Sequence, residues 1–123
     1  MRCLAREYHG VMPHRDLNVL DAADRAADLI NALIDRAPRG WLLHVRQMRD
    51  SVQSIGANIS EGFGRGAGRN RARSLEIARG EAEETIRHLA ANFRAHRIHA
   101  REYWPIHNLL VTIVKMLTSM LDQ

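Results

Sequence analysis

The sequence holds 123 residues, 46% of them hydrophobic and only 5% aromatic. That is enough for one domain with a core of its own, and the aliphatic, alanine-rich composition favours close-packed helices over a β-sandwich. A net charge of +4 and a pI near 10.2 turn the chain toward anionic partners. Cys3 is the only cysteine, so no internal disulfide forms. No apolar run has the length of a signal-peptide core or of a membrane span, and the chain reads as cytoplasmic with no membrane partner. The basic charge is almost all arginine, Lys115 being the one lysine. A planar guanidinium grips phosphate or carboxylate through two parallel bonds, which an ammonium does not. A high-GC genome also raises arginine, but it does not explain a cluster between Arg65 and Arg79.

Residues 1–15 lack periodicity and contain Gly10 and Pro13, so they read as a poorly structured arm before a folded domain at 16–123. Asp16 is placed to cap a helix starting near Leu17, with Leu17, Leu20, Ala23, Ala27, Ile30 and Ile34 as its apolar stripe. Pro38 and Gly40 end it. A second helix is predicted from Trp41 to Glu61 on Val45, Met48, Val52, Ile55 and Ile59. Gly56 inside it costs roughly 1 kcal/mol against alanine, so it marks a close helix contact. A third is predicted from Asn70 to Arg97 on Leu75, Ala78, Ala82, Ile86, Leu89 and Phe93. The fourth spans Ala100 to Leu121 on Ile106, Leu109, Leu110, Ile113, Met116, Leu117 and Met120, with Pro105 either kinking it or moving its start to Trp104. Nothing alternates with period two. The fold class is therefore all-α, an up-down-up-down four-helix bundle.

The richest stretch joins the second and third helices. Gly62, Gly64, Gly66 and Gly68 interleave with Arg65, and Arg69, Arg71, Arg73 and Arg79 follow. The glycines fail the dinucleotide fingerprint, because Ala67 or Arg69 occupies the third required position and no strand precedes them; no Gly-Lys-Ser/Thr occurs anywhere. What remains is an interhelical turn. Arginines in the first turns of a helix oppose its dipole, which suits an anion nearby; the competing reading is a solvated face paired with Glu76 and Glu83.

Other polar groups point to structure. Ser54 and Asn58 lie one turn apart on one face, and no histidine stands near Ser54 to activate it, so no catalytic residue is assigned. Glu61 is expected to pair with Arg79 or Arg49, across the bundle or a subunit boundary. Seven histidines include His96 with His99, and His88 four residues after Glu84, but no metal-ligand spacing occurs, so neither metal nor cofactor is expected. Leu42, Leu43, Phe63, Ile77, Val111 and Val114 lie off the main stripes. In a monomer some of these are exposed, which favours self-assembly.

The segment Gln47–Arg65, with Arg49, Ser54, Asn58, Ile59, Glu61 and Gly62 in an R-x4-S-x3-N-I-x-E-G register, resembles a known family. So does Ser74–Thr85, with Leu75, Ala78, Arg79 and Gly80, as does the terminal Lys115–Leu121. These are similar to the bacterial four-helix bundle proteins met as reading frames inside intervening sequences of 23S rRNA genes, which include the accessory variability proteins of diversity-generating retroelements. Asp50 and Glu81 depart from the family pattern, where a second Arg and a Ser are common. The resemblance implies a homo-oligomeric ring, a pentamer, and for the retroelement members contact with nucleic acid and a reverse transcriptase.

The expected function is accordingly non-enzymatic. The chain reads as an oligomeric scaffold whose basic surface, Arg65, Arg69, Arg71, Arg73 and Arg79, engages RNA, DNA or a nucleic-acid-binding protein. Arg49, Ser54, Asn58, Glu61 and Gly62 form a structural motif. The alternative is a purely structural or protein-interaction module whose arginines make inter-subunit ion pairs.

Overall fold

The structure, a computed structural model, describes residues 15–123. Residues 1–14 of the expected arm lie outside the described residues, and Arg15 opens the first helix. Four helices follow in order: α1 (Arg15–Arg36), α2 (Val45–Gly64), α3 (Arg69–Arg94) and α4 (Ala100–Leu121). No strand occurs among the described residues. Consecutive helices pack side by side and α4 closes back on α1. Joined by short connections at 37–44, 65–68 and 95–99, they alternate in direction, as an up-down-up-down bundle must.

The core lies between the four inner faces. It is built from Val19, Ala23, Ala26, Ile30 and Leu33 of α1, Met48, Val52, Ile55 and Ile59 of α2, Leu75, Ala78, Ala82 and Leu89 of α3, and Tyr103, Ile106, Leu110, Ile113 and Leu117 of α4. The α1 face is rotated from the expected one: Val19, Ala26 and Leu33 are buried, while Leu20, Ala27 and Ile34 flank them half-buried. Both sets recur at helical spacing, and only the position of α2 and α4 decides between them. Four polar side chains are also buried, Ser51, Ser74, Thr85 and Asn92. Ser51 and Thr85 bond each other across α2 and α3 at 2.7 Å, and Thr85 donates to the Glu81 carbonyl at 2.8 Å. Burial of a hydroxyl is tolerable because each finds a partner.

The helix boundaries shift where side chains capture the backbone. Asp16 lies inside α1 instead of capping it. α2 begins at Val45, not Trp41, because Asn92 of α3 takes up both backbone groups of Leu43: the Leu43 N–H donates to Asn92 Oδ1 at 2.7 Å, and Asn92 Nδ2 donates to the Leu43 carbonyl at 3.0 Å. His44 follows in a left-handed conformation, φ 59°. α3 stops at Arg94, not Arg97. Arg97 N bonds the Asn92 carbonyl and His96 N the Phe93 carbonyl, with His96 left-handed at φ 60°; this is the paired-bond helix stop in which glycine usually holds the left-handed position. α4 runs through Pro105, so the alternative start at Trp104 falls. Pro105 is only the sixth residue, near enough to the helix start to forfeit few bonds.

Most of the off-stripe hydrophobics are absorbed within the chain. Leu42 is buried, Leu43, Phe63, Val111 and Val114 are half-buried, and of that set only Ile77 is exposed, at 42%. The expectation that a single chain exposes some of this set is met at Ile77 alone.

Candidate nucleic-acid interface

The α2–α3 turn needs its glycines for two different reasons. Gly66 and Gly68 take φ of 80° and 96°, a region closed to most side chains. Gly62 is helical, but a Cβ there would stand 3.1 Å from Leu75 Cδ2 and 3.3 Å from Ser74 Cβ. It lets α2 and α3 meet closely just before the turn.

The five arginines separate into two groups. Arg65 pairs with Glu61 one turn back at 2.6 Å. Glu61 therefore reaches neither Arg79 nor Arg49; the local i, i+4 partner is closer than anything across the bundle. Arg71 lies over the Phe63 ring at 5.1 Å. Arg79 donates to Thr118 Oγ1 of α4 at 3.1 Å. Arg69 and Arg73 are exposed, one turn apart, and make no ion pair or hydrogen bond among the described residues. Among the described residues none of Arg65, Arg69, Arg73 and Arg79 pairs with Glu76 or Glu83. Gly68 caps α3 without a side chain, so the N-cap residue offers no side-chain acceptor to the first amides of α3. Two exposed arginines on one helical face, their Cβ atoms about 6 Å apart, beside the positive end of a helix dipole, suit an anion.

The structural motif divides between two faces. Arg49 reaches α1, donating to Asn31 Oδ1 at 2.6 Å and Asp35 Oδ1 at 2.8 Å. Asn58 Nδ2 donates to the Ser54 carbonyl at 2.9 Å and its Oγ at 3.0 Å, as the shared face implied. Arg49 and Ser54, with Asn31, Asp35, Asp50 and Gln53, line an open polar groove of about 630 Å³ between α1 and α2. Gly56 sits farther along this seam, 3.9 Å from Ala23 Cβ by its notional Cβ, an ordinary helix contact. Asp21, Asp24 and Asp28 continue along α1. Burial, then the charges of Asp21 and Asp28, push the Asp24 carboxyl above its ordinary value. This face is acidic, in contrast to the α3 N-terminus.

The opposite end of the bundle was not legible as a site. There Trp41 Nε1 donates to the Arg97 carbonyl at 2.8 Å, Arg97 donates back to the Trp41 carbonyl at 3.0 Å, and its guanidinium stacks 4.5 Å from the Trp41 ring. His44 Nδ1 and His88 Nδ1 are 2.9 Å apart, and His88 Nε2 meets Glu84 at 3.3 Å. Arg36 holds Glu102 at 3.0 Å. Burial raises the Glu102 carboxyl, but hydrogen bonds from Arg36 and the His99 backbone, with both their charges, outweigh it and leave it below its ordinary value. Arginine at 36, 39, 97 and 101 was visible in sequence, but only the fold brings the two connections together. Among the described residues no three His, Cys, Asp or Glu side chains are grouped to hold a metal ion, and no helix is long and apolar enough to cross a membrane.

A family model described as 23S rRNA-intervening sequence protein matches residues 15–119. The crystal structure of a protein of unknown function from the S23 ribosomal protein family of Bacteroides thetaiotaomicron is similar to this fold with a TM-score of 0.83; it is 28% identical, and the match covers 89% of this chain and 100% of that one. No curated protein matches the sequence.

Proposed function

Since this chain belongs to the 23S rRNA-intervening sequence protein family, we propose that it works without catalysis, as a self-assembling scaffold that binds nucleic acid through phosphates. The observation that carries this reading is the pair Arg69 and Arg73 at the uncapped start of α3, exposed and without ion pairs among the described residues. Arg65 adds a third charge from the turn, held by Glu61 but exposed. Binding of this kind reads backbone and not bases. The names of the family and of its solved relative both favour RNA of the ribosome's surroundings as the nucleic acid met.

Self-assembly draws support from α3. Gly80 lies mid-helix with nothing among the described residues within 4 Å of a notional Cβ, so no contact there accounts for its cost of about 1 kcal/mol. Ile77, one turn before it, is exposed. A second subunit lying on this flat, apolar spot would use both, and a closed ring, five-fold by the resemblance, would array the α3 N-termini and multiply weak binding. Replacing Arg65, Arg69 and Arg73 together by Gln is expected to weaken RNA and DNA of all sequences alike. It should also flatten the salt dependence, by roughly 0.7 to 0.9 in log–log slope for each phosphate no longer neutralised, with the mass by light scattering unchanged.

A second reading rests on the acidic face of α1. Asp24 is held above its ordinary value by burial and by Asp21 and Asp28, a strain that an arginine from a neighbouring subunit would relieve. On this reading the same triple variant loses oligomer mass and keeps whatever nucleic-acid affinity it had.

A further inference from the structure

We propose that the end of the bundle formed by the 37–44 and 95–99 connections is a stacking platform for unpaired bases of single-stranded nucleic acid, separate from the α3 N-terminus. The inference rests on the nucleic-acid reading above and adds a second site with a different chemistry. The chain has two tryptophans, and both are at this end, Trp41 43% exposed and Trp104 47% exposed. Large rings are ordinarily withdrawn into a core when one is available. Here Phe93 and Tyr103 stack at 4.1 Å, and Trp104 stands against both, and against His107, with interplanar angles of 73°, 74° and 79°. All three contacts are edge-to-face. Among the described residues no ring lies parallel to the indole, and with 47% of Trp104 exposed it offers surface to a base.

The surroundings fit an anionic ligand. Arg36, Arg39, Arg46, Arg94, Arg97 and Arg101 belong to this end, against Asp35, Glu84 and Glu102, a net of six minus three, +3 with histidines neutral. Glu102 is taken by Arg36, and Asp35 by Arg49. Arg39, Arg46 and Arg101 are exposed with no ion pair or hydrogen bond among the described residues. Arg97 already stacks on Trp41, which shows how a planar cationic group and this indole pack, and holds the ring in place through two backbone bonds. A chain of phosphates with bases on one side meets this surface in both its parts, arginines for backbone and indoles for bases. A double helix offers no exposed base faces and would gain only the charge term.

Because Trp41 and Trp104 are the only tryptophans, their fluorescence reports this end alone. An oligouridylate of about 12 nucleotides, within the site sizes known for such surfaces, is expected to quench it. Inorganic polyphosphate of equal charge should not. Trp104→Ala should weaken the oligouridylate by roughly 5- to 100-fold, the loss of one base–aromatic stack, while duplex RNA binding changes less than twofold. Arg39→Gln with Arg101→Gln, which disturbs no packing, should weaken binding and lower the salt slope. The triple Gln variant of Arg65, Arg69 and Arg73 should still be quenched. Equal quenching by polyphosphate overturns the platform. So does oligouridylate that binds by gel shift without quenching, an outcome that leaves phosphate binding at α3 standing. If Trp104→Ala loses oligomer mass, the surface is a subunit contact and the proposal falls. If neither probe nor duplex binds at all, this proposal and the nucleic-acid reading fall together.

Discussion

The two ends of the bundle are built on opposite plans. At one end a single turn, 65–68, joins α2 to α3 through glycines with almost no tertiary bonds, and leaves Arg69 and Arg73 pointing outward. At the other, two connections are locked to each other and to α3: Asn92 on Leu43, Trp41 on Arg97, His44 on His88. The first end gets its shape from local backbone freedom. The second gets it from contacts between residues 44 to 56 positions apart. Loosely held charges keep their reach for a partner, whereas a locked end holds its rings in one arrangement, and those are different ways to meet a ligand.

The sharpest way to break this contrast is at Asn92. It is fully buried and bonds the Leu43 N–H, the Leu43 carbonyl and the His88 carbonyl. Asn92→Leu keeps the branched shape but is larger and strands both Leu43 groups, so it should cost about 2–4 kcal/mol. Gly64→Ala, by contrast, meets nothing within 4 Å and should change stability by less than about 1 kcal/mol. Urea unfolding of the two variants measures the difference directly. Equal, small effects would mean that the 37–44 connection is not held by Asn92.

Legibility follows the same division. The four helices, their order and the α4 boundaries were readable because Leu, Ile and Val recur at helical spacing over long segments. The glycine turn was readable because glycines are local signals. The start of α2 was not, since Trp41-Leu42-Leu43 carries an apolar pattern that continues the helix, and what stops it is a side chain 49 residues away. The end of α3 was missed because the left-handed stop is a histidine, His96, where glycine is the usual sign. In the candidate site, Arg65 to Arg79 were found as a cluster. That Arg65 would be held by Glu61 and Arg79 by Thr118, leaving Arg69 and Arg73 exposed, depends on rotamers and on the α4 packing. The aromatic end was not recognised at all, because Trp41 and Trp104 are far apart in sequence and each looks like core.

His96 offers a gain where Asn92 offers a loss. It is exposed and held at φ 60° by the bonds that end α3. Glycine takes that conformation without the clash a Cβ makes, so His96→Gly should stabilise the chain by about 1 kcal/mol. Gly66→Ala, at φ 80°, makes the reverse change at the other end and should destabilise by a similar amount. Thermal unfolding of the two single variants tests both signs at once. A loss of stability in His96→Gly would show that its ring, not its backbone, matters to the locked end.

The smallest effects are electrostatic and carry opposite signs. Glu102 in the folded chain lies below its ordinary 4.5, so its pair with Arg36 contributes above that value and is lost as pH falls through the lower, folded value. Glu102→Gln should therefore destabilise at neutral pH, by less than about 1 kcal/mol for a pair this exposed, and match the parent once both states are protonated. Asp24 is displaced the other way, above its ordinary 3.8, by burial and by Asp21 and Asp28. Its ionised form is a cost to the fold at neutral pH. As pH falls through the raised value the folded state takes up its proton first and the cost disappears. Asp24→Asn should thus stabilise at neutral pH, with the advantage vanishing by about pH 3, below both values. Urea midpoints of the two variants should bracket the parent at neutral pH and approach it in acid, Asp24→Asn once pH is below 3.8 and Glu102→Gln once pH is below its lowered folded value. Should Asp24→Asn instead destabilise at neutral pH and also lose oligomer mass, the Asp24 carboxylate is being used by a neighbouring subunit, and the acidic face of α1 is the partner of the arginines.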